Sequence, residues 1–298
     1  MVKVACRLLA LVVLAGCATP PQAPIAPPRP LSEVLAASPA SDWRRLDPEN
    51  TLYMDLPAGR VVIELAPAFA PRVIANIKTL VRSRYFDGLA VIRSHDNYVA
   101  QWGDPDDTRP LGSAQSRIAP EWTRPFDATL RFAPLPDRDT YAEQTGFAGE
   151  FPMARTGERA WLVHCYGMVG VGRGNEPESG NGSSLYAITG GPARLLDRNI
   201  TVAGRVVRGI ELLSSLPRGT GPLGFYEKPG QRVPIRQVRL EADIPGAERL
   251  GLEVLRADSA TFAQVVDGRR FRRDDWYKEP AGAVDVCLTL PPVRTAPK

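Results

Sequence analysis

Histidine is nearly absent from this 298-residue chain, which carries two, His95 and His164. Cysteine is hardly commoner, with four. Cys6 and Cys17 fall in the N-terminal leader, so Cys165 and Cys287 are left to the folded part. Two imidazoles and two thiols make no zinc-type ligand cluster, and neither a metal nor a cofactor is expected. The net charge is +4 and there is no basic run, so nothing points to nucleic acid. No apolar stretch reaches the roughly 20 residues that cross a bilayer. There is no internal repeat. Gly170 to Gly174 is glycine-rich but lacks the spacing and the lysine of a phosphate loop. Asp104 and Asp197 have the character of turn residues rather than an acid/base pair. His164 and Cys165 are neighbours on a strand-like run, so their side chains point to opposite faces and cannot act as a dyad.

The N-terminus has what a targeting segment needs. Lys3 and Arg7 precede a short apolar run, Leu8 to Ala15, of signal-peptide length. It ends in Leu14-Ala15-Gly16-Cys17, small residues before a cysteine, as a lipoprotein signal peptidase requires. Residues 1–16 are therefore expected to be a lipoprotein signal peptide, with Cys17 lipidated and multiply acylated, a firm membrane anchor. Ala18 stands where an aspartate would favour inner-membrane retention. The expected place is the outer membrane of a Gram-negative cell, facing the periplasm. Pro20 to Pro30 holds six prolines and stays extended. Residues 17–48 are thus read as the lipidated cysteine and a Pro-rich tether. In an oxidising periplasm Cys165 and Cys287 either pair or stay as two buried thiols.

Beyond the tether, Thr51 to Leu56 and Arg60 to Leu65 flank a Pro57-Ala58-Gly59 turn and read as a hairpin. Pro71 to Arg82 carries a helical stripe of Val73, Ile74, Ile77, Leu80 and Val81, with proline at a favoured opening position. Leu89 to Arg93, Tyr98 to Trp102, Ala160 to Tyr166, Met168 to Val171, Ser184 to Ile188, Ile200 to Val207 and Val233 to Leu240 are strand-like. Ile210 to Leu216 is a short helix. The pattern is mainly β and predicts a closed antiparallel barrel capped by two helices, spanning residues 49–245. Residues 106–158, rich in Pro, Arg and Asp, read as a long surface insertion. Residues 246–298 form a C-terminal α/β extension, with a helix capped by Ser259 and a last strand from Val284 to Leu290.

Several segments, in order from Thr51 to Asp243, resemble the cyclophilin family of peptidyl-prolyl isomerases. Gly59 to Leu65 and Ala70 to Asn76 resemble its second strand and first helix. Tyr85-Phe86-Asp87-Gly88 precedes Val91-Ile92-Arg93, which stands where the family has Phe-His-Arg. Tyr98-Val99-Ala100-Gln101-Trp102-Gly103-Asp104-Pro105 resembles Phe-Met-x-Gln-Gly-Gly-Asp-Pro. Gly167 to Arg173, Asn181 to Ile188, Leu196-Asp197 and Val202 to Val206 resemble later family segments. The stretch from Pro105 to Ala160 is longer than is usual there.

The resemblance implies an enzyme that isomerises X–Pro bonds in envelope proteins and assists their folding. Arg93 would be the catalytic donor. Tyr98, Val99, Tyr186 and Leu195 would shape the proline cup. Gln101 would grip the substrate backbone, with Gly172 and Ser184 at further substrate-binding positions. Several positions depart from the family pattern. Leu195 replaces a common Trp, Ile200 a His, Ala203 a core Phe, and Ser184 a Gln. Val99 is smaller than the usual Met. These changes leave open a second function, a cyclophilin-like module that binds proline-containing polypeptides with little turnover. A third is a structural lipoprotein acting through its tail.

Overall fold

The computed structural model describes residues 28–297. The signal peptide, Cys17 and the first part of the tether lie outside the described residues. Helix α1 (Leu31–Ala36) and strand β1 (Trp43–Arg45) come first. The expected tether to residue 48 is thus folded from Leu31 onward. Val34, Trp43 and Leu46 are buried, and the Trp43 indole donates to Ser38 Oγ at 2.8 Å. Such isolated apolar residues are stabilised only by a partner distant in sequence: β1 pairs with a strand some two hundred residues on.

Strands β2 (Thr51–Leu56) and β3 (Gly59–Leu65) form the expected hairpin. Helix α2 (Pro71–Arg82) buries the same five apolar residues as its stripe predicts, together with Asn76. Then follow β4 (Ala90–Ser94) and β5 (Val99–Gly103). The segment between β5 and residue 162 holds β6 (Arg124–Pro125), β7 (Phe132–Pro134), β8 (Gln144–Ala148), β9 (Phe151–Thr156) and β10 (Arg159–Leu162). After it come β11 (Met168–Val171), β12 (Leu185–Ile188), β13 (Val202–Arg208), helix α3 (Glu211–Ser214), β14 (Val233–Pro234) and β15 (Gln237–Leu240). The extension contains β16 (Leu252–Leu255), α4 (Ala260–Arg270) and β17 (Val293–Thr295).

Nine strands form one antiparallel sheet in the order β14-β4-β5-β12-β11-β13-β3-β2-β15. It curls around a core that includes Leu52, Ile63, Trp102, Val169 and Leu185, with α2 packed against it. The expected closed barrel is seen only as a curled sheet whose strand order ends at β14 and β15. These two end strands are halves of one segment, of which β14 pairs with β4 and β15 with β2. Between them Ile235 donates to the Leu89 carbonyl and Arg236 to the Asp55 carbonyl, so the segment switches from one end of the sheet to the other.

Side chains alternate across a strand. Ala100, Trp102, Leu185 and Ala187 face the inner core, and Val99, Gln101, Tyr186 and Ile188 face outward. The insertion is not a loop. Its strands form a five-stranded sheet, β6-β10-β9-β8-β7. A second core joins Phe147, Met153 and Trp161 of this sheet to Val99, Tyr186 and Ile188, and to Phe262 and Val265 of the extension. Strands β8 and β9 are buried on both faces over most of their length. They therefore lack the period-two pattern by which an excursion is recognised as a sheet.

The extension begins as expected. Ser259 Oγ accepts from Phe262 N at 3.0 Å and caps α4. The strand expected at Val284–Leu290 is instead a 3-10 turn over Val286–Leu288, where Asp285 accepts from Cys287 N at 2.7 Å. Cys165 and Cys287 form a disulfide across 122 residues, which ties this turn to the segment before β11.

The side chain of His164, the neighbour of Cys165, meets Asp197 through Nδ1 at 2.9 Å. Asp197 also accepts from the His164 backbone, Arg194 and Trp161. Burial pushes the Asp197 carboxyl up, but the bonds from His164 and Arg194 outweigh it and hold the group below its ordinary value. A lowered folded pKa contributes stability above the unfolded value of about 3.9, lost as pH falls through the folded value. Asp197→Asn is expected to be less stable at neutral pH and to lose less stability on acidification. An acid-unfolding slope identical to the parent's, followed by circular dichroism, would contradict this linkage.

Candidate active site

The outward face of the sheet carries a row of residues in register across four strands. Arg93 lies opposite Gln101 on β4 and β5. Gln101 lies opposite Tyr186 on β12, and Tyr186 opposite Gly170 on β11. A β-bulge between Val91 and Arg93 re-aims the Arg93 side chain, as bulges beside active sites do.

Three of the five Arg93 N–H donors are engaged. Nε donates to the Leu223 carbonyl at 2.6 Å. One terminal nitrogen donates to Gln101 Oε1 at 3.1 Å. The other meets His95 Nδ1 at 3.0 Å, which must be the unprotonated ring nitrogen to accept. Two N–H groups are left to point elsewhere. The Tyr98 and Phe225 rings flank the guanidinium, 5.5 and 5.3 Å from its central carbon. No carboxylate pairs with it among the described residues. Burial pushes its pKa down from the ordinary value, though an arginine stays charged.

The amide of Gln101 continues the chain to Ser184 Oγ at 3.0 Å. Gly172 sits under this contact, where a Cβ would lie 2.7 Å from Ser184 Oγ and 3.1 Å from Gln101 Nε2. Arg93, Gln101, Ser184 and Gly172, each named from the sequence, therefore meet in one polar cluster.

Of the apolar residues, Tyr98, Val99 and Tyr186 meet in the second core and Leu195 does not. Tyr98 is half-buried and packs edge-on against His95. Val99 and Tyr186 are buried in the second core, beneath the insertion. Leu195 is 83% exposed and belongs to none of the hydrophobic clusters, while its neighbour Leu196 packs inward. The sequence also passed over Leu223, Phe225 and His95. Gly219, Gly221, Pro222 and Gly224 mark a turn there, but nothing local says that it returns to β4. Gly224, at φ 79°, permits that approach, since a Cβ would come within 2.6 Å of His95 Cα.

The Tyr186 ring lies over Gly170, and its hydroxyl is buried with no hydrogen-bond partner among the described residues. Burial pushes its pKa well above the ordinary phenol value. An unsatisfied buried polar group costs about 1–3 kcal/mol. Tyr186→Phe is thus expected to raise stability by about 1 kcal/mol, seen as a higher urea midpoint. A lower midpoint would show that the hydroxyl has a partner in solution.

A profile of the family described as cyclophilin type peptidyl-prolyl cis-trans isomerase/CLD matches residues 51–240, well over half of the chain. The chain belongs to the cyclophilin family. Among cyclophilin relatives, a probable peptidyl-prolyl cis-trans isomerase of Brucella suis is 28% identical over 174 residues, covering 58% of this chain and 74% of its own length. Peptidyl-prolyl cis-trans isomerase-like 1 of Homo sapiens is 27% identical over 206 residues, covering 69% of this chain and 96% of itself. The crystal structure of a cyclophilin from Hirschia baltica superposes with a TM-score of 0.70 at 25% identity. It covers 88% of this chain and 96% of its own, so the likeness runs beyond the segment that the family profile matches.

Proposed function

We propose that this chain isomerises X–Pro peptide bonds, with Arg93 as the donor that acts on the bond. The observation that carries this is a guanidinium fixed at three points, with no carboxylate partner and two N–H groups unspent among the described residues. The X–Pro C–N bond resists rotation because of its partial double-bond character, and exchange without a catalyst takes tens to hundreds of seconds. Twisting the bond returns the lone pair to the prolyl nitrogen. A preorganised N–H aimed there stabilises the twisted state more than either planar isomer, which is differential binding of the transition state. Gln101, which bonds Arg93 and Ser184, engages the flanking backbone in this reading. Tyr98 supplies an apolar wall beside the guanidinium, and a loose fit follows from the burial of Val99 and Tyr186.

That same burial, with Leu195 out in solvent, favours a second function: binding of proline-containing polypeptides with little turnover. Isomerisation of a short X–Pro peptide separates the two. Catalysis above the spontaneous rate supports the enzyme, and a folded protein that binds the peptide without accelerating exchange supports the module.

The cellular setting is inferred from the leader: a lipid anchor at Cys17, the outer membrane, and envelope proteins as clients in folding. Incorporation of labelled fatty acid into the full chain, abolished by Cys17→Ser, is the expected result. Labelling that survives Cys17→Ser would remove the anchor from the account.

A further inference from the structure

At the start of the described chain, residues 28–34 run beside α4 and the turn that follows it. The two segments leave a groove of about 330 Å³ between them. Arg29, Arg269, Arg272 and Arg273 line it, opposed by one carboxylate, Asp274. Asp274 accepts from the Tyr277 backbone and from Arg272, which lower its pKa to about 2, so it remains a fixed negative charge. The lining therefore carries four positive charges against one negative. Arg29 donates to Gln264 at 2.7 Å, Arg272 to Asp274 at 2.9 Å, and Arg273 to the Lys278 carbonyl at 3.2 Å. Arg269 makes no hydrogen bond or ion pair among the described residues. Leu31, Val34 and Val265 give the groove an apolar wall.

Beside it, Trp276 is 84% exposed and Tyr277 43%. The Tyr277 ring lies under the Arg272 guanidinium at 3.9 Å. Trp and Tyr settle at the headgroup level of membranes, where one end of the ring is apolar and the other wet. Guanidinium groups match phosphate oxygens by paired N–H donors. The polar cluster around Arg93 uses none of these residues.

We propose that this groove and Trp276 form a membrane-contacting surface that takes the phosphate headgroups of anionic phospholipids. A free phosphate ion would gain nothing from the apolar wall or from Trp276. An acidic peptide would not account for a groove bounded by the very segment, residues 28–34, that continues the Pro-rich stretch after Cys17. The choice of a membrane over a peptide rests on the proposed anchor at Cys17, whereas the surface uses no residue of the isomerase site and its binding to vesicles needs no lipid on the chain. In a lipidated chain it would lay the domain against the bilayer instead of leaving it free on its tether.

Residues 28–297 contain all three core clusters, all three sheets and the disulfide. An unlipidated chain beginning at residue 28 therefore serves for the test, by co-sedimentation with vesicles. Vesicles of phosphatidylcholine with phosphatidylglycerol are expected to bind it at least about tenfold more tightly than phosphatidylcholine alone, since each surface Arg contributes on the order of a fivefold gain at an anionic membrane. Arg269→Gln with Arg273→Gln should lower that binding about tenfold or more. Arg29→Gln on the opposite wall and Trp276→Ala should lower it too. All variants should keep the parent's circular dichroism and its isomerase rate, so that failure of the surface is distinct from failure of the enzyme. Equal binding to both vesicles, no binding, or binding indifferent to the arginine variants would each overturn the proposal. So would complete release by inorganic phosphate, which would make the groove a free-anion site.

Discussion

Arg93→Ala is expected to lower kcat/KM for a short X–Pro peptide by about 100-fold or more, the loss typical when one preorganised donor is removed from a charge-stabilising site. Circular dichroism and the unfolding midpoint should change little, since the guanidinium is only half-buried and its partners Leu223, Gln101 and His95 can turn to water. Arg93→Lys should recover little. A lysine ammonium is a point charge on a flexible stem. It cannot hold the Leu223 carbonyl, Gln101 and His95 at once and still present a donor. The split between kcat and KM carries the mechanism. A donor that acts only on the twisted bond lowers kcat and leaves KM near the parent's, whereas a residue that merely binds the peptide raises KM. Activity retained in Arg93→Ala would move the donor to another group on the outward face.

The second large effect is in stability. Replacing both cysteines, Cys165→Ser with Cys287→Ser, is expected to cost about 2–5 kcal/mol. The bridge closes a loop of 122 residues, long enough for its loss to free much chain entropy in the unfolded state. It also joins two buried segments of the second core. Urea unfolding should show a midpoint shifted well below the parent's. Isomerase activity at 25 °C should survive in whatever fraction stays folded, because the row from Arg93 to Gly170 is held by β-ladder hydrogen bonds rather than by the bridge. A midpoint unchanged within half a kcal/mol would mean that the second core holds the extension unaided.

Much of the domain was legible because its signals are local. The hairpin of β2 and β3, the stripe of α2 and the Ser259 cap each depend on residues within a few positions of one another, and each appears at or near its expected place. The insertion was not legible as a sheet. With strands such as β8 and β9 covered on both faces, alternation is lost and only a chain of Pro, Arg and Asp turns remains to be read. The N-terminal helix and β1 were missed because Val34 and Trp43 bury against residues near the far end of the chain. No window around residue 40 contains that partner.

The candidate site divides along the same line. The sequence alone determined which residue types stand at each position and the period that puts Gln101 and Tyr186 on one face and Trp102 and Leu185 on the other. The family resemblance then singled out Arg93, Gln101, Gly172 and Ser184, and strand register brings these four together. Only the tertiary structure decided what surrounds them. The turn at Leu223–Phe225 returns to clamp Arg93, the insertion and extension bury Val99 and Tyr186, and Leu195 is left in solvent. The physical reason is that hydrogen-bond ladders and side-chain alternation are set by neighbours along and across strands. Burial of an outward face is set by whichever distant segments pack on it, and their contact free energy is written nowhere in the local sequence.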